Sequence, residues 1–160
     1  MAVTSVYLET SVISYLTARP SRDIVIAGHQ QTTRDWWQTR RTAFDVYVSE
    51  LVLKEARGGD PQAAADRLAV IETIELVEVS SEALTLANRL VTDAAIPQKA
   101  IADALHVATA VTSGIDFLLT WNCKHIANAI MRSRIERICR ASGYEPSVIC
   151  TPEELMEDDQ

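Results

Sequence analysis

Short β-branched apolar runs alternate along the chain with longer stretches in which apolar residues recur every three or four positions. The first pattern predicts strands at 3–8, 44–48, 74–79, 115–119 and 147–149. The second predicts helices at 11–17, 23–41, 50–57, 61–71, 81–94, 99–112 and 124–142. Gly58-Gly59, Pro97, Gly114 and Gly143 punctuate several of these segments. Apolar strands separated by helices predict an α/β fold, a mainly parallel central sheet with helices on both faces. No repeat, low-complexity segment or linker divides the chain. Residues 1–152 therefore read as one domain and 153–160 as an acidic tail.

Composition narrows the class. The 160 residues are 48% hydrophobic and 23% charged, with five Gly and five Pro, which excludes disorder and collagen-like repeats. No apolar run approaches a membrane span and the first residues lack a signal-peptide pattern, so a cytoplasmic protein with no membrane partner is expected. Cys123, Cys139 and Cys150 show no paired or zinc-type spacing and read as three reduced thiols. The net charge of -7 is the wrong sign for a broad nucleic-acid-binding surface. Five acids in the last eight residues account for most of it, and that tail is expected to be solvated. Residues 121–140 carry a local net of +4. There Lys124, Arg132 and Arg134 are candidates to meet phosphates, the alternative being a plain solvated helix face.

In an open α/β sheet the ligand site lies beyond the carboxyl ends of the strands. Glu9 follows the first strand, with Thr10 or Ser11 placed to cap the next helix. After the second strand Glu50 and Glu55 compete, and their spacing of five puts them about 140° apart on a helix. Glu50 sits in the first turn, four residues before Lys54, where it has structural work to do. Glu55 falls on the apolar stripe with Leu51 and Val52, so its carboxylate needs a metal or an arginine as partner. On the helix near Lys99, Asp103 and His106 lie one turn apart beside Ile101, Ala104, Leu105, Ala108 and Val111. Asp103 is the stronger candidate, and His106 reads first as a hydrogen-bonded structural residue. Asn122 follows the fourth strand, as helix cap or as an oxygen donor, with His125 close behind. Asp116 begins that strand and belongs at the opposite edge. Glu9, Glu55, Asp103 and Asn122 can thus converge as an all-oxygen set suited to Mg²⁺ or Mn²⁺ rather than zinc. Trp36 and Trp37, among Arg34, Arg40 and Arg41, read either as an RNA or partner contact or as a pair split between core and surface. A phosphoacceptor receiver domain would need a tandem acidic pair after the first strand, which is missing.

At these positions the chain resembles a PIN domain, in particular the VapC-type ribonuclease toxins of toxin-antitoxin pairs. The resemblance runs from Val6 to about Pro152. It rests on Val6-Tyr7-Leu8-Glu9-Thr10-Ser11-Val12-Ile13, Val48-Ser49-Glu50 with Glu55, Asp103-Ala104-Leu105-His106-Val107-Ala108, Leu119-Thr120-Trp121-Asn122 with Lys124-His125-Ile126-Ala127-Asn128, and Gly143-Tyr144 before the last strand. The family usually has Asp where this chain has Glu9, and often Asp where it has Asn122. The resemblance implies a Mg²⁺- or Mn²⁺-dependent endoribonuclease leaving 5′-phosphate and 3′-hydroxyl ends, with Glu9, Glu55 and Asp103 on the metal and Asn122 assisting. Glu50, Thr10 and His125 are secondary candidates. It further implies a small antitoxin partner and a homodimer or larger assembly. The two departures keep open a catalytically inactive PIN-like binding module for RNA or protein.

Overall fold

The computed structural model describes residues 3–93 and 96–156. Strands β1 (Ser5–Leu8), β2 (Asp45–Ser49), β3 (Glu75–Val77), β4 (Phe117–Leu119) and β5 (Val148–Cys150) form one sheet in the order β3-β2-β1-β4-β5, parallel throughout. The described residues also form helices α1 (Thr10–Thr17), α2 (Ile24–Thr39), α3 (Glu50–Ala56), α4 (Pro61–Ile71), α5 (Ser81–Thr92), α6 (Ile101–Thr112) and α7 (Ala129–Ala141). This is the α/β architecture that the alternation of patterns predicts. The central strand is covered on both faces: Val6, Tyr7 and Leu8 are all fully buried. That explains why it reads as an unbroken apolar run. In α5 the spacing of Ala83, Leu86, Ala87 and Leu90 makes one buried stripe, which packs against α6.

Several boundaries differ from the sequence reading, for local reasons. The predicted helix 124–142 begins only at Ala129, because Asn128 caps it through Met131 N–H while its amide holds the carbonyls of Cys123 and Lys124 in a turn. The helix predicted from Lys99 starts at Ile101 after a 3-10 turn, Gln98–Ala100. Within α6, Ile101 is exposed and His106 buried, the reverse of the expected stripe. The expected helix end at 94 lies outside the described residues, as do residues 157–160 of the tail. At the start of the tail Glu153 and Glu154 are exposed, and Pro152–Leu155 forms a 3-10 turn closed by a reciprocal Thr151–Glu154 capping box. All three cysteines are free thiols, and burial pushes Cys139 up to about 11 and Cys150 up to about 12. Among the described residues no helix is long and apolar enough to cross a membrane.

Candidate active site

From β1 the chain builds outward through β2 and β3, then returns past β1 to lay β4 on its other side. The carboxyl ends of β1 and β4 therefore flank the point where strand order reverses, the crevice that open α/β sheets use for ligands. Glu9 leaves β1 there, and Thr120 to Asn122 leave β4. Helix α3 carries Glu55 and the first turn of α6 carries Asp103.

Glu9 itself caps α1, in place of Thr10 or Ser11. Its carboxylate accepts the Ser11 N–H at 3.0 Å and the Ser11 hydroxyl at 2.5 Å, and the Thr120 hydroxyl donates to it at 2.6 Å. Both oxygens are used, and Glu9 is buried. Ser11 Oγ also accepts the Trp121 N–H at 2.9 Å, so the cap joins the exits of β1 and β4. With Glu9 folded back onto the helix, the Thr10 hydroxyl is free to donate to Glu55 at 2.7 Å.

Glu55, rather than Glu50, enters this network. Glu50 is exposed in the first turn of α3 and joins none of the side-chain hydrogen bonds found there among the described residues. Glu55 Oε1 accepts from Thr10 and from His106 Nε2; neither bond uses Oε2. Partial burial pushes the Glu55 carboxyl up, but the His106 hydrogen bond and charge, with the Thr10 bond, outweigh it and hold the carboxyl below its ordinary value.

His106 is buried and its other nitrogen, Nδ1, lies 2.7 Å from the Tyr7 hydroxyl. That hydroxyl is also 2.8 Å from Ser49 Oγ, and Ser49 caps α3 by accepting the Val52 N–H. Burial raises the Tyr7 pKa well beyond the usual tyrosine range; the Ser49 bond opposes this, and the charges of Glu9 and Glu55 add to it. Asp103 completes the far side. Its Oδ2 accepts from His125 Nδ1 at 2.9 Å, and the His125 N–H donates to Asn122 Oδ1 at 3.1 Å. The Asn122 N–H donates to Thr120 Oγ1 at 2.9 Å, which leads back to Glu9.

The structure thus brings Glu9, Thr10, Glu55, Asp103, Asn122 and His125 to one end of the sheet and leaves Glu50 outside the network. Tyr7 and Thr120 were missed as participants, and Ser11 was considered only as a helix cap. Tyr7 sits inside an apolar strand and gave no signal, whereas Ser11 and Thr120 could have been suspected as hydroxyls flanking strand exits. Lys124 is exposed in the turn after Asn122. Arg132 is drawn away from solvent, donating to the Ile149 carbonyl at 3.2 Å and lying 3.5 Å from Glu154, whereas Arg134 is exposed on α7. Trp36 is fully buried against Phe44, and Trp37 is partly covered with Arg41 over its ring at 4.2 Å: a pair split between core and surface. Asp116 lies at the opposite edge, accepting the Ser5 N–H and hydroxyl.

The donor set, carboxylates with an amide, suits a hard cation. Among the described residues no three His, Cys, Asp or Glu side chains form a group that could hold a metal ion. Glu9 has both oxygens in protein hydrogen bonds, while Glu55 and Asp103 each have one oxygen outside them. Two carboxylates meet the habit of Mg²⁺, which keeps several waters and takes one or two carboxylates together with substrate phosphate.

No protein-family model and no curated protein matches the chain. Solved structures do. The Mycobacterium tuberculosis toxin VapC20, described as cleaving the sarcin-ricin loop, aligns with 76% of this chain and 92% of its own at 17% identity and a TM-score of 0.60. VapBC2 from Rickettsia felis, bound to a DNA fragment from its promoter, aligns over 92% of this chain and 98% of its own at 15% identity and a TM-score of 0.58. DNA-bound VapBC from Salmonella typhimurium aligns over 93% and 98%, at 14% identity and a TM-score of 0.54. At such identities the likeness establishes architecture: this chain has the PIN-domain fold of VapC toxins.

Proposed function

We propose that the chain is the toxin of a toxin-antitoxin pair, an endoribonuclease that hydrolyses RNA phosphodiester bonds with Mg²⁺ or Mn²⁺. The observation that carries this reading is the pair Glu55 and Asp103 at the strand switch point, each fixed through one oxygen by a histidine and keeping the other for a ligand. These two residues would hold the ion. What the ion supplies when bound is charge neutralisation at the phosphodiester and an activated water. Glu9 and Asn122 hold the exits of β1 and β4 in place around them, and exposed Lys124 and Arg134 supply positive charge for the RNA backbone. The VapBC complexes among the structural neighbours support an antitoxin as protein partner, and a homodimer or larger assembly of the toxin is part of the same proposal.

A second reading has one observation in its favour. Because both Glu9 oxygens are taken up by the α1 cap and Thr120, the fold also suits a catalytically inactive PIN-like binding module. One assay separates the two: purified protein, free of contaminating nuclease, is incubated with RNA in Mg²⁺ or Mn²⁺ and in EDTA. The nuclease reading expects cleavage with the ions that stops on chelation. Cleavage undiminished in EDTA would refute metal dependence, and no cleavage in any condition would favour the binding module.

A further inference from the structure

Ser49, Tyr7 and His106 form a line of polar groups through the interior, all buried, ending on Glu55 at the site. Phe at 7 and an aliphatic residue at 106 would fill similar space without requiring partners, so these groups are not needed for packing alone. Glu55 is a carboxylate and can only accept, so His106 must present a proton on Nε2. Its other nitrogen, Nδ1, meets the Tyr7 hydroxyl, accepting from it in the neutral ring and donating to it in the charged one. The Tyr7 and Ser49 hydroxyls are hydrogen-bonded to each other, and the Ser49 oxygen receives the Val52 N–H at the start of α3. Helix α3 carries both ends of the line, Ser49 as its cap and Glu55 in its last turn.

We propose that Tyr7 is a positioning residue: through its hydrogen bond to His106 it fixes the ring orientation that holds Oε1 of Glu55, and so sets where the second oxygen, Oε2, is presented. Its part in catalysis rests on the nuclease reading given above, but its hold on His106 does not. The ring contact between Tyr7 and His106, edge-on at 5.9 Å between centroids, survives in Tyr7→Phe, which removes the hydroxyl alone.

The test compares wild type, Tyr7→Phe, Glu55→Gln and the double variant, using nitrogen-15 NMR of the His106 ring together with RNA cleavage. In wild type the His106 Nε2–H should be visible and slow to exchange, with Nδ1 shifted by its hydrogen bond to Tyr7. In Tyr7→Phe the Nδ1 resonance should move and Nε2–H exchange should quicken. For cleavage, Tyr7→Phe should lower kcat about tenfold with little change in KM, a small misplacement of a reacting group. Added to Glu55→Gln, it should cost nothing further. Unchanged His106 resonances in Tyr7→Phe would overturn the proposal, as would a cleavage loss of equal size in the Glu55→Gln background, which would mark general loosening of the fold. Absence of wild-type cleavage would defeat the nuclease reading alone, since the His106 resonances would still decide whether Tyr7 holds the ring.

Discussion

Two histidines each hold one carboxylate at the carboxyl edge of the sheet, and they are supported in opposite ways. The His106 side chain is 1% exposed, fixed from behind by Tyr7 of β1 and, through it, by Ser49 of β2. His125 is 17% exposed and lies in the turn after β4, where its own N–H rests on Asn122 Oδ1. Glu55 is therefore positioned by the core, and Asp103 by a loop. The same acid–histidine chemistry arises once from strands whose register is set by the whole sheet and once from a short capped turn. The first arrangement is stiff because leaving any member unpartnered in the interior is costly. The second can open with little penalty, because solvent takes over the bonds that break.

The largest expected contrast is in stability. His106→Ala removes a hydrogen-bond partner of the buried Tyr7 hydroxyl and opens a void among core side chains, and should cost about 2–4 kcal/mol. His125→Ala, at a half-open turn, should cost about 1 kcal/mol or less. Urea unfolding of both variants measures this, and equal losses would break the contrast between core and loop. A smaller effect concerns pH. Glu55 is held below its ordinary value of 4.5, so in the folded state it releases its proton more readily than when unfolded. Its contribution to stability is present above that value and disappears as pH falls through the depressed folded value. Wild-type urea midpoints should accordingly fall in acid, and the part due to Glu55 should be missing from Glu55→Gln. Identical acid slopes in the two proteins would mean that His106 and Thr10 do not favour the charged carboxylate.

The fold was legible because the pattern of a two-faced parallel sheet dominates this chain: β1 and β4 are apolar where they pair, and α5 repeats its stripe without interruption. Boundaries were less legible where a side chain overrules periodicity, as Asn128 does in holding residues 123–128 out of the helix. Position relative to strand ends was enough to bring Glu9, Glu55, Asp103 and Asn122 to one edge. The choice of Glu55 over Glu50 as the acid that joins the network also followed from helix geometry. Spacing does not reveal how each acid is satisfied. Glu9 looks from sequence like a longer version of an open carboxylate, yet it folds back onto Ser11 and Thr120. Tyr7 was illegible for a related reason: its ring satisfies the apolar pattern while its hydroxyl does other work.

The central claim is that the carboxylates at the strand switch point cleave RNA, and Asp103 tests it with the least disturbance. Asp103→Asn keeps the size of the side chain and an oxygen for His125 but removes the charge. Initial cleavage rates of one RNA should be measured for wild type and Asp103→Asn side by side in Mn²⁺, after circular dichroism shows that both are folded. The account predicts a loss of about a hundredfold or more, the scale expected when a group acting directly in the reaction is removed. Cleavage by folded Asp103→Asn at the wild-type rate would contradict it.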